Sequence, residues 1–425
     1  MNRSTIVVWS LLFIATPLFG QIDWTEHTIV GNFDGAAWAH ALDMDNDSDI
    51  DVLGAAWDAD DIAWWENDGN QNFTEHNIAS NFDGACCVFG IDIDADNDGD
   101  AIATAYFLNT IAWWENNAGV FTPHVISNTF PGAYSVYATD MDDDGDIDIL
   151  GAARSSNTII WFENNGNQVF DEHYITTSFL DASSVYAEDV DSDGDMDILG
   201  AAGIGDDIAW WENVGSQVFV QHTITGNFNG ATAVYAADLD NDNDIDVVGA
   251  GYLANTIAWW ENDGNQVFIQ HNVVTGLNGA GAVHAADLNN DDTLEILGAA
   301  WYANTIGYWG NISGIITSTF NYAHSVFAFD MDSDGDKDVL GSAMNADDIA
   351  WWESDFVGIE ENGNSTIAYP ELGPTVITGP LVLPQGTKYR VYDISGRLVT
   401  PHDLKAGIYF ITINERIVRK IVRIK

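Results

Sequence analysis

Residues 140–162 read DMDDDGDIDILGAARSSNTIIWF. The first nine put acids at alternate positions: Asp140, Asp142, Asp144, Asp146 and Asp148 at 1, 3, 5, 7 and 9, with Gly145 at 6. Positions 1, 3, 5 and 9 offer side-chain oxygens, position 7 can add its backbone carbonyl, and the glycine permits a sharp turn. Ca2+ takes roughly six to eight oxygens at flexible geometry, so such a loop suits it better than Mg2+. Transition metals would want His or Cys, and the loop has neither. An EF-hand is excluded, because that motif needs Glu at position 12 between two helices, and Gly151 stands there. The apolar, β-branched segments that follow read as strands.

The same pattern starts at Asp43, Asp92, Asp140, Asp189, Asp238, Asp287 and Asp330 and aligns without gaps through the next 21 residues. Successive starts lie 49, 48, 49, 49, 49 and 43 residues apart. Each copy ends at an aromatic pair: Trp64-Trp65, Trp113-Trp114, Trp161-Phe162, Trp210-Trp211, Trp259-Trp260, Tyr308-Trp309 and Trp351-Trp352. The candidate metal residues of the other copies are Asp43, Asp45, Asp47, Asp49 and Asp51; Asp92, Asp94, Asp96, Asp98 and Asp100; and Asp189, Asp191, Asp193, Asp195 and Asp197. Further along they are Asp238, Asp240, Asp242, Asp244 and Asp246; Asp287, Asn289, Asp291 and Glu295; and Asp330, Asp332, Asp334, Asp336 and Asp338. Up to seven Ca2+ sites are expected, the sixth weakest, since it carries Asn289, Asp292 at position 6 and Thr293 at position 7. Ser48, Asn97 and Asn243 replace the glycine in three other copies.

One unit reads as four strands: Val234 to Asp238, Ile245 to Ala250, Thr256 to Glu261 and Val267 to Val273, with a turn at Asn262 to Asn265. No stretch has the period and caps of a helix. Seven four-stranded units suggest a ring of blades, in which each sheet buries its faces against its neighbours. An open solenoid fits less well, because its coils are usually shorter and no distinct capping repeat is present. Trp24 to Val30 (WTEHTIV) resembles the fourth strand of other units, yet no first three strands precede it, and no fourth strand follows the seventh aromatic pair. The spare strand at the start therefore fits the gap at the end.

Charge sets limits on partners. The chain of 425 residues carries 66 acidic and 12 basic residues, and Gln21 to Phe356 holds 60 of the acids with only Arg154 and Lys337. Such a surface repels nucleic acid and anionic lipid and attracts cations. A hydrophobic share of 46% argues against an acidic disordered chain. Residues 1–20 read as a signal peptide, with Arg3 before an apolar run from Ile6 to Ile14 that is too short to span a bilayer. Export to the periplasm and then to the cell surface or medium is expected, with no transmembrane segment in the mature chain. The adjacent Cys86 and Cys87 read as small strand residues.

The Asp loop, an apolar Gly-Ala segment, Trp-Trp-Glu-Asn and a Gly turn recur together, and Phe82-Asp83-Gly84-Ala85 with its equivalents supplies a Phe-Gly-like element. Over roughly Ile22 to Phe356 this resembles the FG-GAP/VCBS repeat family. The resemblance implies a seven-bladed β-propeller, like the head of integrin α subunits, with Ca2+ between the first two strands of a blade. It also implies binding of proteins or glycans; a minority of members accompany carbohydrate-active enzymes.

Residues 357–425 differ in composition, with a Pro-containing, linker-like start to about residue 387 and nine of the 12 basic residues from Lys388 onward. The segment looks like the C-terminal sorting domain of type IX secretion substrates, a small β-sandwich, which implies the type IX secretion machinery as a partner. The fold expected is thus all-β: a seven-bladed propeller with calcium loops over 21–356, then the small sandwich.

Two other columns recur. His27, His76, His124, His173, His222 and His271 fall on the fourth strand, at the rim and too far apart to share a metal. Glu66, Glu115, Glu163, Glu212, Glu261 and Glu353 follow the aromatic pairs and read as structural. A catalytic site must break the repeat symmetry, and nearly all these acids belong to repeated columns. One column does vary as a binding surface would: Trp57, Tyr106, Arg154, Gly203, Tyr252, Trp301 and Met344, in a loop after the Gly-Ala segment. Of these, Trp57, Tyr106, Arg154, Tyr252 and Trp301 are the candidate ligand contacts. The function expected is a secreted or surface-attached, non-enzymatic binding or adhesion module for glycans or surface proteins. A polysaccharide-degrading enzyme, or its substrate-binding component, is the alternative.

Overall fold

The structure, a computed structural model, describes residues 22–354 except Ser216, together with residues 376–377, 389–393, 399, 404–405, 407–413 and 416–423. The signal peptide expected at 1–20 lies outside the described residues. Residues Gln21–Phe356 form one compact unit. It contains seven antiparallel four-stranded sheets, one per repeat, in the order of the chain. In the third blade the strands are Ala133–Thr139, Asp148–Ala153, Thr158–Asn164 and Phe170–Thr176. The second strand is buried along its whole length, and the fourth alternates exposed and half-buried residues, so the fourth is the outer edge.

The ring closes as the spare strand requires. Trp24–Val30 pairs antiparallel with Asp348–Ser354, Trp24 opposite Ser354 and Val30 opposite Ile349, and completes the seventh blade. First strands begin earlier than their apolar runs suggest, at Ala231 rather than Val234 in the fifth blade. The small residues there continue the strand through a one-residue register shift, between Ala231 and Ala233.

Blades interlock through one position. Gly200 sits on the second strand of the fourth blade, where an added Cβ would lie 2.6 Å from Ile159 Cδ1 of the third blade and 3.1 Å from Trp211. The glycine is thus a hole for its neighbour's isoleucine. The same Ile-over-Gly contact recurs at Gly54, Gly151, Gly249, Gly298 and Gly341.

The loops between blades are also stitched. At the end of each second-to-third-strand loop an Asn or Asp accepts the N–H of the next loop on its side-chain oxygen. Asn109 accepts from Gly132, Asn157 from Asp181, and Asp347 from Gly35 across the closure. These residues have positive φ, a conformation that Asn and Asp tolerate better than other side chains.

The axis is filled near the Asp loops. His40, Phe89, Tyr137, Tyr186, Tyr235, His284 and Phe327 each touch the next, with centroids 4.4–5.2 Å apart, in a closed aromatic ring. Burial pushes His40 down to about 4 and His284 to about 3, so both are neutral packing groups.

The other unit contains a four-stranded sheet of Val376–Ile377, Tyr389–Asp393, Gly407–Ile413 and Arg416–Arg423. A second layer, as a sandwich requires, is not among the described residues. No helix among them is long and apolar enough to cross a membrane.

Candidate metal loops and the opposite loop face

Each first-to-second-strand loop has its carboxylates turned inward. In the fourth blade Asp189 accepts the backbone N–H of Asp193 and of Gly194, each at 3.0 Å. Asp193 accepts that of Asp195 at 3.0 Å. Asp197 is fully buried and accepts from Val190 at 3.0 Å and Asn213 at 2.7 Å. Asp189, Asp191 and Asp197 offer oxygens within 4.8 Å of one another. The same convergence is found for Asp43, Asp45 and Asp51, for Asp92, Asp94 and Asp96, for Asp140, Asp142 and Asp148, and for Asp238, Asp240 and Asp246.

Two features fit a cation. At position 3, the Oδ1 atoms of Asp45, Asp94, Asp142 and Asp191 are buried without any hydrogen-bond partner. A buried, unpaired carboxylate oxygen is costly unless a cation meets it. At position 9, burial raises Asp51, Asp100, Asp148, Asp197, Asp246 and Asp338 to about 7 against the backbone hydrogen bonds that lower them. A divalent ion would offset that cost. The clusters could therefore hold a metal ion, and an all-oxygen donor set favours a hard one.

The position-7 side chains turn elsewhere. Asp98 accepts the N–H of Ala118 at 3.0 Å, and Asp49, Asp146 and Asp244 lie against the hairpin glycines Gly69, Gly166 and Gly264. That leaves position 7 its backbone carbonyl. Position 6 has positive φ whether it is Gly194, Ser48, Asn97 or Asn243, and so has position 4, at Ser192 for example. The absence of glycine therefore adds strain without changing the loop's path.

The sixth loop is built differently. Asn311 donates to Asp291 and to Thr293, both at 2.6 Å, and Asn289 donates to Asn311 at 3.2 Å and to Glu295 at 3.4 Å. Amide groups thus fill the place between the carboxylates. The Asn289 Oδ1 is unpartnered too, but it is a neutral oxygen.

The second-to-third-strand loops lie on the opposite face, with the loops that join successive blades. The sequence-expected contacts prove unequal there. Trp301 is only 8% exposed, its ring stacked against Tyr322 and His324, and its Nε1 is buried without a partner. It overlies Gly281, where a Cβ would collide with the indole. Arg154 gives both arms of its fork to Asp181, at 2.7 Å each, and lies over Tyr134. Neither presents the free stacking face or free donors expected of it. Trp57 packs with Tyr106 and Phe107 and is half-buried, as are Tyr106 and Tyr252.

The exposed side chains mostly stand one residue further on. Phe107 (55% exposed), Ile204 (72%), Leu253 and Tyr302 follow the expected column directly, with Leu108 and Leu180 nearby. The signal was an apolar residue in loops that carry Asp58, Ser155 and Asn345 in other blades. On the axis, Trp38, Cys86, Tyr134, Ser184, Trp301 and His324 help to line a cavity of about 30 Å3, room for a water or two. Burial pushes the Cys86 thiol up to about 12 and His324 down to about 4, leaving neither as a poised nucleophile or acid.

Comparison with known proteins agrees with this geometry. The FG-GAP-like repeat family model matches residues 140–200 and 238–298. The chain is therefore a seven-bladed β-propeller carrying FG-GAP-like repeats. Among solved structures, a streptogramin B lyase is similar at 14% identity over 78% of this chain and 98% of that one, with a TM-score of 0.57. The WD40 β-propeller domain of Doa1 is similar at 12% identity over 79% and 97%, with a TM-score of 0.58. BBS1N, solved in complex with ARL6DN, is similar at 10% identity over 78% and 96%, with a TM-score of 0.53. At these identities the likeness is one of fold. No curated protein matches the chain.

Proposed function

We propose that this chain is an exported, calcium-stabilised propeller that acts as a non-enzymatic binding module through the face opposite its Asp loops. Ca2+ would be held by Asp189, Asp191, Asp193 and Asp197 and their equivalents in the other blades except the sixth. It would supply the positive charge that the buried carboxylates lack. The observation that carries the binding reading is the breaking of sevenfold symmetry on the opposite face. There, Phe107, Leu108, Leu180, Ile204, Leu253 and Tyr302 stand exposed.

The partner is a protein surface. Aliphatic side chains such as Ile204 and Leu253 suit protein contact, whereas glycan stacking calls for free flat rings, and on this face Trp301 is buried while the exposed Phe107 and Tyr302 pack edge-on against Trp57 and Tyr322. Asp34, Asp58, Asp60 and Asp347 cluster on the same face, where burial and mutual repulsion raise Asp58. A partner carrying Lys or Arg beside apolar groups complements that arrangement. The leader and the C-terminal segment would deliver the module through the type IX route to the cell surface or medium. To test the binding reading, the calcium-loaded protein is screened against a glycan array and a displayed library of extracellular proteins. Protein hits lost on Ile204→Ser with Leu253→Ser support it; glycan hits insensitive to both, or hydrolysis of a glycan, overturn it.

A further inference from the structure

Six blades share a feature that neither the loop nor the fold requires. The glutamate after the aromatic pair meets the fourth-strand histidine, at Nε2–Oε2 separations of 2.6–3.0 Å, in the pairs His27–Glu353, His76–Glu66, His124–Glu115, His173–Glu163, His222–Glu212 and His271–Glu261. Each imidazole lies stacked on the first ring of the aromatic pair, with centroids 4.5–4.8 Å apart. Tryptophan fixes the histidine, and the histidine fixes the glutamate.

The glutamate is held beside the Asp loop. In the fourth blade Asn213, the next residue, donates its backbone N–H to Asp197. In the sixth blade a Cβ added at Gly310, the glutamate's position, would lie 3.1 Å from Cγ and 3.3 Å from Oε1 of Glu295, so this position stands against the ninth side chain of the loop. Another fixed carboxylate next to an acidic loop is unfavourable by itself. Yet the arrangement recurs wherever position 3 is Asp. The sixth blade is the internal control. There position 3 is Asn289, the glutamate is replaced by Gly310, and Gly314 stands where the histidine would be, opposite Tyr308. All three are lost together in the blade whose carboxylates are satisfied by amide groups instead.

We propose that the glutamate of the Trp-Trp-Glu segment is a further carboxylate of each ion site, and that the fourth-strand histidine is its positioning residue. The inference rests on the calcium reading above. The loop offers five positions, four side chains and one carbonyl, where Ca2+ takes roughly six to eight oxygens. The glutamate supplies one more from outside the loop, directly or through a bound water, and joins the third strand to the ion. The histidine contributes no ligand. It stops the glutamate from swinging into solvent, as outer-shell partners of metal ligands do.

The test is calcium titration calorimetry on the full chain, paired with melting in chelator. The wild type should take up about six ions. Glu212→Gln should weaken one site by about tenfold or more, the usual effect of losing such a partner. His222→Gln should weaken the same site less, and the double variant should be no worse than Glu212→Gln. In chelator all should melt like the wild type. Glu261→Gln in the fifth blade provides a second variant should the first not fold. A wild-type isotherm for both glutamate variants, with melting lowered equally in calcium and chelator, would make the pair purely structural and overturn the proposal. A wild type that takes up no calcium overturns the calcium reading itself and this inference with it.

Discussion

Stripping divalent ions tests how the propeller tolerates its charge. Residues Gln21 to Phe356 hold 60 acids and two cations, and six buried position-9 aspartates are held near 7 by burial. An ion that binds only the folded loop adds about 2.7 kcal/mol when its concentration is a hundredfold above Kd. Six such loops acting on one cooperative unit would together match or exceed the roughly 5–15 kcal/mol that stabilises a typical domain. The expected result is large: melting at pH 7.5 should fall by about 15 °C or more on moving from calcium to chelator. Calorimetry or circular dichroism reads the midpoint, and atomic emission on desalted protein counts the ions. A shift below about 5 °C would refute the reasoning, because the buried oxygens of Asp45, Asp94, Asp142 and Asp191 would then be tolerated without a cation.

In chelator the pH dependence should run against the usual acid denaturation. Position-9 pKa values near 7 stand above the ordinary 3.8, so the folded state keeps protons that the unfolded chain has released. Their contribution therefore falls as pH rises from about 4 to about 7, and the metal-free protein should melt lower at pH 7.5 than at pH 5.5; an opposite trend contradicts the burial argument. Gly200→Ala should cost about 1–3 kcal/mol by overpacking, and Ile159→Val should relieve part of it, read as coupling in a double-mutant cycle; strict additivity would deny the interlock. Deleting residues 22–30 should expose Trp351 and Trp352, both now buried, and produce early melting with aggregation; an unchanged melt would refute closure by that strand. Trp301→Ala should cost about 3–5 kcal/mol as a core truncation, while Ile204→Ser should leave the melt within about 0.5 kcal/mol of wild type.

Repetition is what made the fold legible. A single Asp loop is ambiguous, but seven in register with an aromatic pair fixed the blade, and WTEHTIV without its first three strands fixed the closure. The path of the Asp loops was legible for the same reason. The opposite face was not, because its residues differ from blade to blade and a column gives no exposure. Trp301 and Ile204 stand in neighbouring columns, and only packing over Gly281 decides that the first is buried. Arg154 could not be known to be spent on Asp181, which lies 27 residues away. The histidine and glutamate columns were both visible, but their pairing depends on strand register, with Trp210 opposite His222. The αL residue at position 4 was hidden because Ser192, Asn241 and Ala95 share no side-chain chemistry.

The two faces divide the work for a physical reason. Carboxylates holding an ion would be satisfied by it and have little capacity left for a partner, and in all seven blades they are also locked by backbone N–H groups. The opposite face carries no such obligation. Its backbone is pinned by the Asn and Asp stitches from blade to blade, with Asp347 reaching Gly35 at 3.0 Å to close the circle. Side chains beside those stitches can therefore vary without loosening the loop. Where Trp301 and Arg154 differ from their equivalents, they are absorbed inward, into the axial cavity and the pair with Asp181. Where Phe107, Ile204, Leu253 and Tyr302 differ, more than half of each residue stays exposed, even where a ring touches a neighbour as Phe107 does Trp57. Exposed apolar area on a chain this acidic lowers solubility without stabilising the fold, and the partner proposed for this face would cover it.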